Sequence, residues 1–248
     1  MIRPKFYYKT SFGRFFCLFA YKNLLALKNA VDFFDTIYYI TAIITFVFSS
    51  LLFLKKSEPL YLKLFSPFTG IDTLVSLLTT YLARKSIHTL PIVNALTTFE
   101  FCFYIWVLRC IINNLFIKKL SLIFLIGFPI AVVINVFLIQ GFNNFHTLTY
   151  SIGCLIVISL SIYYFFELFQ TQYAIRLAKE PGFWIACALL FYYSVSFPLY
   201  VCVNLMKNFP ETLGNVIGIV CSLMNFILYS LFCIALICKI QIRKLFSS

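Results

Sequence analysis

The 248-residue chain is 62% hydrophobic, 20% aromatic and only 11% charged, whereas a soluble domain is about 45–50% apolar and about 25% charged. A soluble fold of this composition could not cover its core with polar surface, so lipid is the expected solvent and partner. The net charge of +12 raises the question of nucleic acid, but the 20 Lys and Arg residues lie between apolar runs or at the ends, where they meet lipid headgroups and set topology. No nucleic-acid partner is expected.

In chain order, residues 1–36 come first as a basic segment carrying Arg3, Lys5, Lys9, Arg14, Lys22 and Lys28. Its Phe12–Leu27 stretch mixes Phe and Leu with Arg14 and Lys22, which suits an amphipathic helix lying in the membrane interface. The apolar core Phe15–Tyr21 is short and no small-x-small site follows it, so the segment does not read as a signal peptide. A bilayer core takes about 20 mostly apolar residues per helix. Seven stretches approach that length: Ile37–Leu54, Leu62–Leu82, Ile92–Ile112, Leu120–Gln140, Leu148–Phe169, Phe183–Leu205 and Ile217–Ile240.

The connectors are short and hold the turn formers, such as Asn113-Asn114 and Glu180-Pro181-Gly182. The second span is the weakest, because Glu58-Pro59 and Pro67-Phe68-Thr69-Gly70 interrupt it. The predicted class is all-α: a polytopic transmembrane bundle of seven helices over 37–240, preceded by the basic segment and followed by a short basic tail, 241–248.

Topology follows from where the basic residues fall. Lys55, Lys56, Lys63, Arg109, Lys118, Lys119, Arg176, Lys179, Lys239, Arg243 and Lys244 share one side; Arg84, Lys85 and Lys207 lie on the other. The C-terminus is therefore expected in the cytoplasm, and the basic N-terminal segment fits that arrangement poorly. Of nine cysteines, eight fall in or beside apolar runs with no CxxC pair, and the only histidines, His88 and His146, fall in predicted loops. No metal or other cofactor is expected.

An ionisable side chain inside a membrane helix costs about 2.5–3.5 kcal/mol on insertion scales, which makes it a candidate for function. Asp72 in the second span and Glu100 in the third qualify. Asn94, Thr97, Glu100 and Tyr104 fall on one helical face, as do Asp72, Ser76 and Thr79. In the seventh span Gly214, Gly218 and Ser222 form a small-residue packing stripe, continued by the polar Asn225 and Tyr229. Glu100 lies about eight residues, roughly 12 Å, from the outer face, and Asn225, Ser196 and Pro198 lie at a similar depth. These residues are expected to line a small polar cavity opening outward. The alternative is that the same polar groups only hydrogen-bond helices together, worth about 0.6 kcal/mol each.

From the third span to the end the chain resembles a family of uncharacterised seven-helix membrane proteins widespread in Bacteroidetes-type bacteria. The likeness rests on Asn94-Ala95-Leu96-Thr97-Thr98-Phe99-Glu100-Phe101, on Ser159–Phe166, on Pro181-Gly182-Phe183-Trp184-Ile185 with Leu189-Leu190-Phe191-Tyr192 and Ser194, and on Ser222-Leu223-Met224-Asn225 with Tyr229. Where that family carries Glu, Asn-x-Gly and His, this chain has Gly153, Ala186-Cys187-Ala188 and Cys221. The resemblance implies a bacterial cytoplasmic membrane and no particular activity.

Three functions compete. A ligand-sensing or signalling-associated module would act through a separate protein or a homo-oligomer. A small carrier or channel would use Asp72 and Glu100 for a proton, a cation or a small solute. An intramembrane lipid enzyme would need a His, Asp or Ser cluster, which the sequence does not offer.

Overall fold

The structure is a computed structural model that describes residues 11–54, 58–142, 144–170, 179–205 and 211–246, with side chains described for 30, 32–54, 58–142, 144–170, 179–201 and 216–239. The described residues form no strand. Their elements are α1 (Ser11–Phe53), α2 (Leu60–Lys63), α3 (Phe65–Arg84), α4 (Leu90–Ile111), α5 (Leu115–Ile134), a π-helical continuation (Asn135–Gln140), α6 (Thr147–Gln170), α7 (Pro181–Leu205) and α8 (Glu211–Phe246). Six segments are long and apolar enough to cross a membrane: Asp32–Phe53, Leu90–Ile111, Leu115–Gln140, Thr147–Gln170, Pro181–Val201 and Val216–Lys239. The chain is an integral membrane helical bundle.

Three expectations change. By length and composition the count is six, because the second predicted span, Leu62–Leu82, is divided at Leu64 into α2 and α3. Ser66, Thr69, Asp72, Thr73, Ser76, Thr79 and Thr80 make α3 too polar to qualify. No break separates residues 1–36 from the first span, since α1 runs through as one helix of 43 residues; residues 1–10 lie outside those described. The seventh predicted span is embedded in the longer α8, which also takes in most of the tail 241–248. Several residues behind the charge asymmetry, Lys55, Lys56, Arg176 and Lys207, lie outside the described residues.

Local chemistry sets the helix ends. Asn114 caps α5, its Oδ1 accepting from the amides of Phe116 at 2.9 Å and Ile117 at 3.3 Å. Pro91 lies in the first turn of α4 and Pro181 opens α7, positions where a missing N–H forfeits no helical bond. Gly141, at φ +79°, ends the π-helical stretch in a conformation that a side chain would strain.

The helix α4 lies at the centre, touching α3, α5, α6 and α7, while α1 packs on α8 and α3, and α7 packs between α6 and α8. Hydroxyl pairs tie α1 to α3: Tyr39 with Thr80 at 2.7 Å, Ser49 with Thr69 at 3.3 Å and Ser50 with Ser66 at 3.0 Å. The opposite face of α3 is apolar and exposed, with Leu74 69% accessible beside Ile71, Leu77, Leu78 and Tyr81. The small-residue stripe of α8 meets α1. The Ser222 hydroxyl donates to Asp35 and to the Gly218 carbonyl, and Thr45 donates to the Tyr229 carbonyl at 3.1 Å. Gly214 has no described surroundings.

The bundle core is aromatic towards its C-terminal α1 end. Phe68 stacks on Phe103 with centroids 3.9 Å apart, and Phe65 meets Phe103 and Phe232 edge-on at 5.2 Å each. Leu62, Ile105, Leu108 and Ile112 are buried in the same half. Gly153 on α6 allows Phe101 to approach, because a Cβ there would stand 2.9 Å from the ring. Two polar ties close this end: both Glu167 carboxylate oxygens accept the Asn113 amide at 3.0 Å, and Lys239 Nζ lies 3.7 Å from Glu58.

Candidate ligand-binding site

In the other half of the bundle the core opens into a cavity of about 250 Å³. It lies between the N-terminal two-thirds of α4, the first turn of α6, the middle and C-terminal parts of α3 and α7, and the membrane portions of α1 and α8. Its walls are Tyr38 and Tyr39 from α1, Asp72, Ser76, Thr79 and Thr80 from α3, Val93, Leu96, Thr97, Glu100 and Tyr104 from α4, Tyr150 from α6, Tyr192 and Tyr200 from α7, and Asn225, Leu228 and Tyr229 from α8.

Helical spacing explains the convergence. Thr97, Glu100 and Tyr104 project from one side of α4, and the polar face of α3 meets them because its apolar face points outward. Of the residues singled out from sequence, Asp72, Thr97, Glu100, Tyr104, Asn225 and Tyr229 line this one cavity. Asn94 and Ser196 do not. Both are buried, but Asn94 turns away to bind the loop before α6, and Ser196 is absent from the cavity wall. Gly218 and Ser222 serve the α1–α8 contact instead.

The Asp72 and Glu100 carboxyl groups face each other in this wall and act on one another electrostatically. Two carboxylates side by side repel, and sharing one proton relieves that repulsion. The Tyr39 hydroxyl pairs with Thr80. By contrast the phenol groups of Tyr104 and Tyr229, residues only 2% exposed, hydrogen-bond to no other described residue, nor does the half-buried Asn225 amide. Buried polar groups are nearly always satisfied, so these groups present unused hydrogen-bonding capacity to the cavity. Among the described residues no Lys, Arg or His lines it. Asp35 and Arg84 act electrostatically on Tyr39 at its edge.

His146, which falls in a loop by sequence, is completely buried and holds that loop against the cavity wall. Its Nε2 lies 2.9 Å from the Thr97 hydroxyl and 3.2 Å from the Asn94 carbonyl, and its Nδ1 lies 2.8 Å from the Thr149 hydroxyl. A carbonyl only accepts, which places the proton on Nε2 and leaves Nδ1 to accept from Thr149. Asn94 completes the clamp, its amide donating to the Asn144 carbonyl at 2.9 Å and its Oδ1 accepting from the His146 amide at 3.4 Å.

Burial pushes the His146 imidazole below the ordinary histidine range, against an opposing hydrogen bond to the Asn94 backbone. Phe145 stacks on His146 at 5.1 Å and on the cavity residue Tyr200 at 5.2 Å. The loop is thereby coupled to the cavity through Thr97 on one side and Tyr200 on the other.

Sequence reasoning missed His146 and the tyrosines contributed by α1, α6 and α7. Tyr38, Tyr39, Tyr150 and Tyr200 stand near span ends, where tyrosine reads as an interface anchor. Position along the span cannot tell an outward ring from an inward one; only the partner helices decide.

The chain has no match among family models, curated proteins or solved structures.

Proposed function

We propose that this chain is a ligand-binding membrane module of the sensing type, whose cavity receives a small molecule and whose far end hands the change in packing to a separate partner. The observation that carries this reading is the cavity's shape and lining: a polar recess with unused hydrogen-bonding groups, backed by close-packed aromatic rings at Phe65, Phe68, Phe103 and Phe232. A recess ending on a packed aromatic layer favours binding over conduction.

We further propose that α3 is a seventh crossing. Its outward face is apolar enough for lipid, and its polar groups are turned to α1 and the cavity, which average hydropathy cannot register. With seven crossings and the basic connectors inside, the cavity opens outward and the C-terminus is cytoplasmic, in a bacterial inner membrane by the resemblance noted above. Periplasmic-side labelling of a cysteine placed at Ser86, together with protection of one placed at Asn113, tests the topology.

The functional test uses purified full-length protein in lipid nanodiscs, screened by thermal shift against small polar compounds. The expected result is a stabilising compound whose effect is lost in Asn225→Trp, with altered hydrogen exchange in the 112–114 and 179–180 connectors on binding. A carrier is the second reading, favoured by the membrane-embedded Asp72–Glu100 pair. Concentrative uptake of the bound compound into liposomes, abolished in Glu100→Gln, would replace the sensing reading with that one.

A further inference from the structure

Resting on the reading of the cavity as a ligand site, we infer that its ligand is a small organic cation carrying a protonated amine. The first argument is charge. Among the described residues the wall contributes two carboxyl groups and no basic side chain. An anion would face two acids with no described cation to offset them, while a neutral ligand would leave the acidic pair unexplained at a depth where ionisable groups are costly.

The second argument is surface. Tyrosines from α1, α4, α6, α7 and α8 present aromatic rings around the acids, with Tyr150 and Tyr200 centroids 4.4 Å apart and Tyr38 and Tyr229 centroids 5.6 Å apart. Aromatic faces attract cations through the ring quadrupole and accept the adjoining hydrocarbon.

Size decides between an inorganic ion and an organic one. A metal ion needs oxygen ligands closed tightly round it, whereas about 250 Å³ with seven tyrosines in its wall is far larger than an ion and somewhat below the usual range for drug-sized ligands of about 300–1,000 Å³. The unpartnered Tyr104, Tyr229 and Asn225 groups then supply hydrogen bonds beyond the acids.

The chemistry of entry balances as follows. An R–NH3+ group enters beside Asp72 and Glu100. A proton shared by the two neighbouring acids leaves to solvent as the second carboxylate forms. The ammonium then donates to both carboxylates. Binding therefore releases up to one proton per ligand, and the ligand itself keeps its own.

The test is titration calorimetry of the full-length protein in nanodiscs with three probes of one shape: phenethylamine, 2-phenylethanol and 3-phenylpropionate, with sodium chloride as a fourth. The expected result is binding of the amine alone, with a heat that varies with buffer ionisation enthalpy as proton release requires. Glu100→Gln is expected to weaken the amine by about thirtyfold, the effect of removing one partner of a buried charge pair. Asn225→Lys, which tethers an ammonium at the wall, should abolish amine binding while the protein remains monodisperse and folded.

Equal binding of the alcohol and the amine, or amine binding unchanged in both variants, overturns the inference. If a compound from the wider screen binds and Asn225→Trp blocks it while the amine fails, the amine assignment falls and the ligand-site reading stands. If nothing binds and Asn225→Trp alters nothing, both fall.

Discussion

The two halves of this bundle use aromatic residues for opposite ends. Around Phe65, Phe68, Phe103 and Phe232, rings meet rings, and the layer is dry and close-packed. Around Tyr104, Tyr192, Tyr200 and Tyr229, rings also meet neighbouring rings, but together they wall a cavity that holds two acids. The hydroxyl makes the difference. A phenylalanine gains nothing from an open space, whereas a buried tyrosine without a partner forfeits a hydrogen bond that only a ligand or water can restore. In one half side-chain chemistry maintains the fold; in the other it is held in reserve.

The largest expected effect tests the packed half. Phe103→Ala removes a ring stacked on Phe68 and in contact with Phe65, and should cost about 3 kcal/mol as a cavity-forming substitution. Part of the usual transfer gain is missing in lipid, whose chains are as apolar as the core, so the loss is chiefly of packing. Denaturant unfolding in mixed micelles would measure it. A loss no greater than that for Tyr192→Ala would erase the distinction between the halves.

The next effect lies on the boundary. His146→Ala removes the ring that joins the Asn94 carbonyl to the Thr97 and Thr149 hydroxyls at a buried site, and because each of these groups keeps another partner the cost should be about 1 kcal/mol. The clamp should also be sensitive to acid. Burial lowers the folded-state affinity of His146 for a proton, so the opened loop binds the proton better than the closed one. The stabilisation is therefore complete above the ordinary histidine value of about 6.5 and is lost as pH falls through it towards the lower folded value. Hydrogen exchange of residues 144–150 at pH 7.5 and 5.5 reads this directly, and His146→Gln should flatten the dependence. An acid-insensitive wild-type loop would remove His146 from the argument.

How much of this was legible in the sequence divides along the same line. The six long apolar helices followed, among the seven spans expected, from apolar run lengths and from connectors such as Asn113-Asn114 and Glu180-Pro181-Gly182, because those signals are local. The convergence of Asp72, Glu100, Tyr104, Asn225 and Tyr229 followed from helical spacing and depth, since an acid in a membrane span must turn inward. What depends on which helices are neighbours was not legible. Asn94 shares a face with Glu100 but lies two turns nearer the helix start, where the loop of His146 takes it. The relation of Gly153 to Phe101 is equally non-local: a glycine on α6 fits close beneath a ring on α4. Mean hydropathy also hides the apolar outer face of α3, because averaging around a helix merges it with the polar face.

A smaller effect probes the seam between α1 and α3. Tyr39→Phe deletes the 2.7 Å bond to Thr80, and interhelical polar bonds in membranes average about 0.6 kcal/mol. A double-mutant cycle with Thr80→Val should return a coupling of that order. A much larger value would mean that the cavity edge is also a structural support.

The smallest effect is expected where the residue is most unusual. Glu100→Gln replaces one member of an adjacent acid pair by an amide of the same shape, whose N–H2 can donate to Asp72. The contact with Asp72 survives, so unfolding stability should change by less than about 1 kcal/mol. If Glu100 were interhelical glue, preserving its geometry would preserve everything it does. If it holds charge for a ligand, the same substitution keeps the fold and removes the function, because an amide cannot become the anion an ammonium needs. Unfolding stability and ligand affinity measured on one preparation of Glu100→Gln therefore separate the two roles: unchanged stability with lost binding identifies a site, while unchanged stability with unchanged binding reduces the acid pair to a structural contact.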